Sequence, residues 1–125
     1  MGSSIIKPGV LVALQELEPS SPFFKEGQSI RVTGKLQSYN VESGIAIIVD
    51  GGATLLIDTQ HLRDINFRTN SIYQFIGELL IPHDGQVVLK ARIGRNVDGI
   101  DLNLYHQSIQ LRRKFEADIV RSKTT

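Results

Sequence analysis

Four basic side chains are the first candidates for chemistry. Arg31 and Lys35 stand at alternating positions in one segment, and Lys90 and Arg92 do so in another. If the two segments are strands of one sheet, these charges share a face that attracts phosphate. Tyr39, Tyr73 and Phe75 would then offer rings on which unpaired bases stack. The signal is modest, because aromatic residues make up 6% of the chain, tryptophan is absent and the net charge is +1. Solvated outer strand faces explain the same pattern, and any single-stranded DNA bound by this chain alone should be held weakly.

The other reactive types give less. His61, His83 and His106 fall in three separate segments with no carboxylate at ligand spacing, and Asp50, Asp58 and Asp64 read as turn and loop residues. Asp50-Gly51-Gly52 resembles a phosphate loop only superficially: the Lys-Ser/Thr that would grip phosphate is missing, and a strand rather than a helix follows. With no nucleophile elbow and no paired acids on facing strands, the sequence points away from an enzyme and implies neither cofactor nor metal.

The elements that must position the basic residues follow from periodicity. From Ser29 the pattern has a period of two: Ile30, Val32, Gly34 and Leu36 turn inward while Arg31, Thr33, Lys35 and Gln37 turn outward. Gly34 inside that strand suggests a sharp bend, as at a barrel corner. Asn40–Gly44 is a turn, Ile45–Val49 a buried strand, Asp50–Gly52 a hairpin turn and Thr54–Ile57 its partner. Thr59–Asn70 is polar and irregular, with room for one helical turn around Gln60–Arg63. Ile72–Ile81 is a long strand ended by Pro82, and Val87–Gly94 is the last, with Val87, Leu89, Ala91 and Ile93 inward. Ahead of them, Val10–Leu14 suits a strand or a single helical turn. Phe23-Phe24, beside Pro22, is placed to plug one end of the core rather than to stack on bases.

The C-terminal segment Asp101–Arg121 is helical, with Asp101 as N-cap and Ile100 positioned to staple to Tyr105. Its apolar side is unusually wide. Ile100, Leu104, Leu111, Phe115 and Ile119 fall on one flank, and Leu102, Tyr105, Ile109 and Val120 fall on the adjoining one, with Arg112 and Glu116 among them. Asn103, His106, Gln107, Gln110, Arg113 and Lys114 make up the polar side. A helix docked on its own domain needs an apolar stripe of only about 100°. One flank therefore packs on the domain and the other remains for a partner, unless the whole helix is internal to a larger core. The partner-binding candidates are Leu104, Tyr105, Ile109, Leu111, Arg112, Phe115 and Ile119; the DNA-binding candidates are Arg31, Lys35, Tyr73, Lys90 and Arg92.

At 125 residues the chain is expected to form a single domain: a lead-in over 1–27, barrel strands over 28–95 and a partner helix over 100–121. Its fold class is all-β with a helix, a five-stranded OB-fold barrel plus a C-terminal α-helix. The absence of cysteine excludes disulfides and thiolate zinc sites. Apolar runs too short to span a membrane, and a start lacking signal-peptide character, lead us to expect a soluble intracellular domain.

Taken in order, Arg31-Val-Thr-Gly34-Lys35-Leu36, Tyr73-x-x-x-Gly77-Glu78-Leu79, Lys90-Ala91-Arg92 and Val97-Asp98-Gly99-Ile100-Asp101-Leu102-x-Leu104 resemble the Ten subunit of the CST telomere-capping complex, its smallest member, and plant forms most. The resemblance runs from Lys7-Pro8-Gly9 to Phe115. It implies an OB-fold that pairs with a Stn-type subunit through C-terminal helices, as the two smaller subunits of replication protein A pair. It further implies a nuclear complex with a large Ctc-type subunit that binds single-stranded telomeric DNA and supports C-strand fill-in with DNA polymerase alpha–primase. Family contact residues correspond to Arg31 and to Phe115, where an animal-type tyrosine and its hydroxyl are replaced. A replication-protein-A-like small subunit, or an accessory or RNA-binding OB-fold, is the competing expectation.

Overall fold

The computed structural model describes residues 9–62 and 64–124. The first eight residues of the lead-in, with Lys7-Pro8, therefore lie outside the described residues, as does Arg63. The elements in order are β1 (Val10–Leu11), a 3-10 turn at Leu14–Glu16, β2 (Ser29–Asn40), β3 (Ile45–Asp50), β4 (Ala53–Asp58), β5 (Ile72–Leu80), β6 (Val88–Asn96) and α1 (Leu102–Thr124). The Val10–Leu14 run thus supplies both a two-residue strand and the start of a helical turn. Around Gln60 there is only a turn, closed by the Leu62 N–H on the Thr59 carbonyl at 2.8 Å.

β2 closes the barrel. Its first half, Ser29–Lys35, pairs antiparallel with β5, and its second half, Lys35–Asn40, pairs antiparallel with β3. β3 continues to β4, β4 runs parallel to β6 over Leu56–Asp58, and β6 returns to β5. These five strands form the expected OB-type barrel, and β1 adds a short parallel edge on β2. Gly34 sits where β2 passes from one partner to the other. A Cβ there would stand 3.0 Å from the Val49 carbonyl oxygen and 3.2 Å from Ile48 side-chain atoms.

Of the inward positions read from the alternation, Ile30, Val32, Leu36, Leu89 and Ala91 are each fully buried, with Ile48, Ile57 and Phe75 opposite; Ile93, beyond the slip in the β5–β6 register, is only half-buried, and Thr33, expected to face outward, is buried. Near Tyr39, Phe67 from the β4–β5 connector caps the core, 4.9 Å from the Tyr39 ring, 5.4 Å from Tyr73 and 6.0 Å from Phe75. At the other end of β3, Val12 and Leu14 are buried, and Phe23 and Phe24 pack on the core as partial covers.

The strands β5 and β6 approach unusually closely. Their register slips between Ile76 and Gly77, leaving Arg92 as the extra residue of a bulge. A Cβ on Gly77 would overlap the Lys90 carbonyl oxygen and lie 2.7 Å from the Lys90 carbonyl carbon and 2.8 Å from the Ala91 Cα. Beyond β6, Asp98 accepts the Ile72 N–H at 2.6 Å and the Asn96 side-chain amide at 3.1 Å. The Ile72 bond above all holds its carboxyl below the usual carboxylate range. Asp101 then caps α1, accepting from the Asn103 N–H at 2.9 Å and the Leu104 N–H at 3.2 Å.

The two glycines should rank clearly. Gly34→Ala meets the Val49 carbonyl oxygen and Ile48 at 3.0 Å or more, contacts that a shift of a few tenths of an ångström relieves, and is expected to cost about 1 kcal/mol. Gly77→Ala meets only backbone and is expected to cost about 3 kcal/mol or more. Chemical-denaturation midpoints of the two variants measure the difference, and equal midpoints would contradict the close β5–β6 approach.

Candidate interface on the C-terminal helix

The helix α1 rests on the outer surface of β2 and on the lead-in by a narrow stripe. Ile109 is 3% exposed, and Leu102, Tyr105, His106 and Arg113 beside it are half-buried. Spacings of three and four residues place these five side chains on one face. The apolar flank that the sequence left unassigned is now fixed. Leu104 is 62% exposed, Leu111 67%, Phe115 64% and Ile119 38%. They recur at intervals that form a row along the helix, about 22 Å long at 1.5 Å per residue. Large apolar side chains exposed along one side of a helix make a surface suited to a protein partner.

Several expected site residues change role. Tyr105 and Ile109, taken as partner contacts, face the barrel instead. The Tyr105 hydroxyl is buried beside Thr33 and Gln74 without reaching hydrogen-bond geometry to either, and burial raises its pKa. His106 and Arg113, assigned to the polar side, also turn inward. His106 Nε2 lies 2.6 Å from Asp50 Oδ2, and the Asp50 carbonyl accepts from Gln15 Nε2 at 2.8 Å. Arg113 donates to Glu16 through Nε at 2.6 Å and Nη2 at 2.9 Å, and these bonds raise its already high pKa. Arg112 remains exposed, between the docked face and the open row. Sorting helix residues by charge hid His106 and Arg113, since their acceptors, Asp50 and Glu16, lie 56 and 97 positions away.

The DNA-binding candidates do not assemble into a stacking platform. Tyr73 is 1% exposed, and its hydroxyl accepts the Arg68 N–H at 2.8 Å, so it is a core residue. Phe75 is fully buried, and Tyr39 packs on Phe67. Arg31 is half-buried with its Nε enclosed and unbonded, and Arg92 pairs with Glu78 at 2.7 Å. Lys35 and Lys90 are exposed, but they stand opposite Ile72 and Glu78 of β5. Those partners stand six positions apart on the strand, about 20 Å at 3.3 Å per step. The β3–β4 face, which OB-folds use for oligonucleotides, presents Ile45, Ile47, Val49 and Leu56 rather than rings or cations. Among the described residues, no group of three His, Asp or Glu side chains converges to hold a metal ion, and no helix is long and apolar enough to cross a membrane.

Comparison with known proteins agrees with the barrel-plus-helix plan. Residues 5–119 match the family model described as Telomere-capping, CST complex subunit. The chain is 57% identical to the CST complex subunit TEN1 of Arabidopsis thaliana over 92% of its own length and 91% of that protein. It is 27% identical to the Homo sapiens subunit of the same name, over 90% and 93% of the two chains. In structure it superposes on a chain of the S. pombe Stn1-ten1 complex with a TM-score of 0.68 and 26% identity, covering 86% of this chain and 94% of that one.

The two helix faces should respond oppositely to charge. Ile109→Glu buries a carboxylate against the barrel and is expected to lower the melting temperature sharply, with loss of helical circular dichroism. Leu111→Glu adds charge in solvent and should leave stability within about 0.5 kcal/mol of the parent. Similar melting curves for the two would mean that α1 is not docked as described.

Proposed function

This chain belongs to the Ten1 family of telomere-capping CST complex subunits, and on that premise we propose that the open row on α1 is where a Stn-type subunit attaches. The chain is the small OB-fold subunit of the CST complex, joined there by a Stn-type subunit and a large Ctc-type subunit. Its part in telomere protection is assembly: it presents a helix already fixed to a closed barrel and contributes little DNA contact of its own. The nucleus, at telomeric chromatin, is the compartment this role requires. Single-stranded telomeric DNA and support for C-strand fill-in belong to the assembled complex. The observation that carries this reading is the exposure of Leu104, Leu111, Phe115 and Ile119 on a helix whose other face is occupied. Arg112 flanks the row and supplies charge at its rim.

Truncating an aromatic anchor in such a row typically costs about 2 kcal/mol, a loss of about thirtyfold. Phe115→Ala should therefore weaken binding to a purified Stn-type subunit about thirtyfold in calorimetry while its own melting curve stays unchanged. Parent-like affinity in both Phe115→Ala and Leu111→Glu would remove the helix from the interface.

DNA binding by the isolated chain should be weak and should respond gently to salt. Of the candidate DNA contacts, the two exposed and unpaired on the barrel are Lys35 and Lys90; at about 0.7 released counterions each they give a slope near −1.4 in log affinity against log salt. Fluorescence anisotropy with a telomeric single strand measures it, and a slope steeper than about −3 would show a cationic site that this geometry lacks.

A further inference from the structure

The structure assigns Arg113 a positioning role: it sets the pitch of α1, and with it the line of the open row, by locking the helix to the lead-in. The inference rests on the reading that this row is the partner interface. Past Ile109 no apolar side chain of α1 is buried; Ile119 and Val120 are 38% and 60% exposed. Among the described residues, Arg113 ties the segment that carries Phe115 to the lead-in.

Arg113 gathers three separate parts of the lead-in. Its guanidinium meets Glu16 with two hydrogen bonds, 2.6 Å through Nε and 2.9 Å through Nη2. Nη2 also donates to the Leu11 carbonyl, and the guanidinium carbon sits 4.4 Å from the centre of the Phe23 ring. The lead-in is itself fixed. Glu16 Oε1 accepts the Ala13 N–H at 2.9 Å, the Val12 N–H bonds the Arg31 carbonyl at 3.0 Å, and β1 pairs with β2. Helix, lead-in and barrel thus form one rigid path with a single guanidinium at its joint. The side chains of Arg113 and Glu16 are 21% and 25% exposed, so the pair is shielded enough to be specific without being sealed in the core. Lysine cannot replace it, because an ammonium has no planar fork to serve Glu16, Leu11 and Phe23 together.

A helix that must be ordered on binding loses affinity to that ordering. Glu16→Gln and Arg113→Lys should therefore each weaken Stn-type subunit binding about tenfold in calorimetry, although Glu16 is not on the row. The double variant should lose no more than either single one, because both act through one joint. Amide hydrogen exchange on the full chain should accelerate over residues 110–121 in both variants, leave β2–β6 unchanged, and return to the parent rate when the partner is added. Parent-like affinity in Glu16→Gln and Arg113→Lys, alongside a loss in Phe115→Ala, would overturn the positioning role and leave the interface standing. Parent-like affinity in all three would overturn the interface itself. Accelerated exchange throughout the barrel in the gentler Glu16→Gln variant would make Arg113 a global stabiliser and also overturn the inference.

Discussion

The barrel depends on one strand satisfying two partners. β2 bonds β5 over Ser29–Lys35 and β3 over Lys35–Asn40, and Lys35 serves both ladders. A straight strand cannot do this; it must coil at the hand-over, where Gly34 removes the only side chain that would strike Val49 and Ile48. Closure leaves β2 with one outer flank. β1 takes part of that flank through Val10 and Leu11, and α1 takes another through Tyr105 over Thr33. What becomes of Arg31 follows from this crowding. Its place on an outer strand face should have made it solvent-borne, yet its Nε is enclosed.

The same geometry explains why the helix leaves so much apolar surface uncovered. A convex barrel offers a cylinder only a line of contact, and α1 spends that line on Tyr105, Ile109, the His106–Asp50 hydrogen bond and the Arg113–Glu16 ion pair. Partly shielded polar pairs contribute modestly to stability because desolvation offsets attraction, but they are directional in a way aliphatic contacts are not. His106 on Asp50 and Arg113 on Glu16 therefore fix rotation and pitch, while Ile109 supplies the burial. The remaining apolar flank has no surface of its own chain to reach.

Much of the fold was legible because alternation is a local signal. Ile30, Val32 and Leu36 announced a half-buried strand, Asp50-Gly51-Gly52 a hairpin, and Asp101 a helix start, and each stands as read. β1 and the capping of the core by Phe67 were not legible, since both depend on residues brought together only after closure. Helical periodicity separated the two apolar flanks but carried no information about which one the barrel meets. Tyr73 shows the limit for aromatic residues. On sequence alone a tyrosine on a strand suits a stacking surface as well as a core position, and only its burial and the Arg68 N–H on its hydroxyl decide the matter. The charge pattern carried no information about pairing or spacing: Glu78 pairs with Arg92, and the residues opposite Lys35 and Lys90 stand six positions apart on β5.

The exposed row also governs supply. With its barrel closed and its helix docked, the chain displays Leu104, Leu111, Phe115 and Ile119 to everything around it. Such a surface is sticky to chaperones, to proteolytic surveillance and to other copies of itself until something covers it. Mass action then ties the lifetime of the folded subunit to the concentration of its cover. An excess of this chain is a liability to the cell rather than a reserve, and matched synthesis of the two subunits is the economical arrangement. The abundance of the folded chain is thus tied to its cover through the same four side chains that are proposed as the interface.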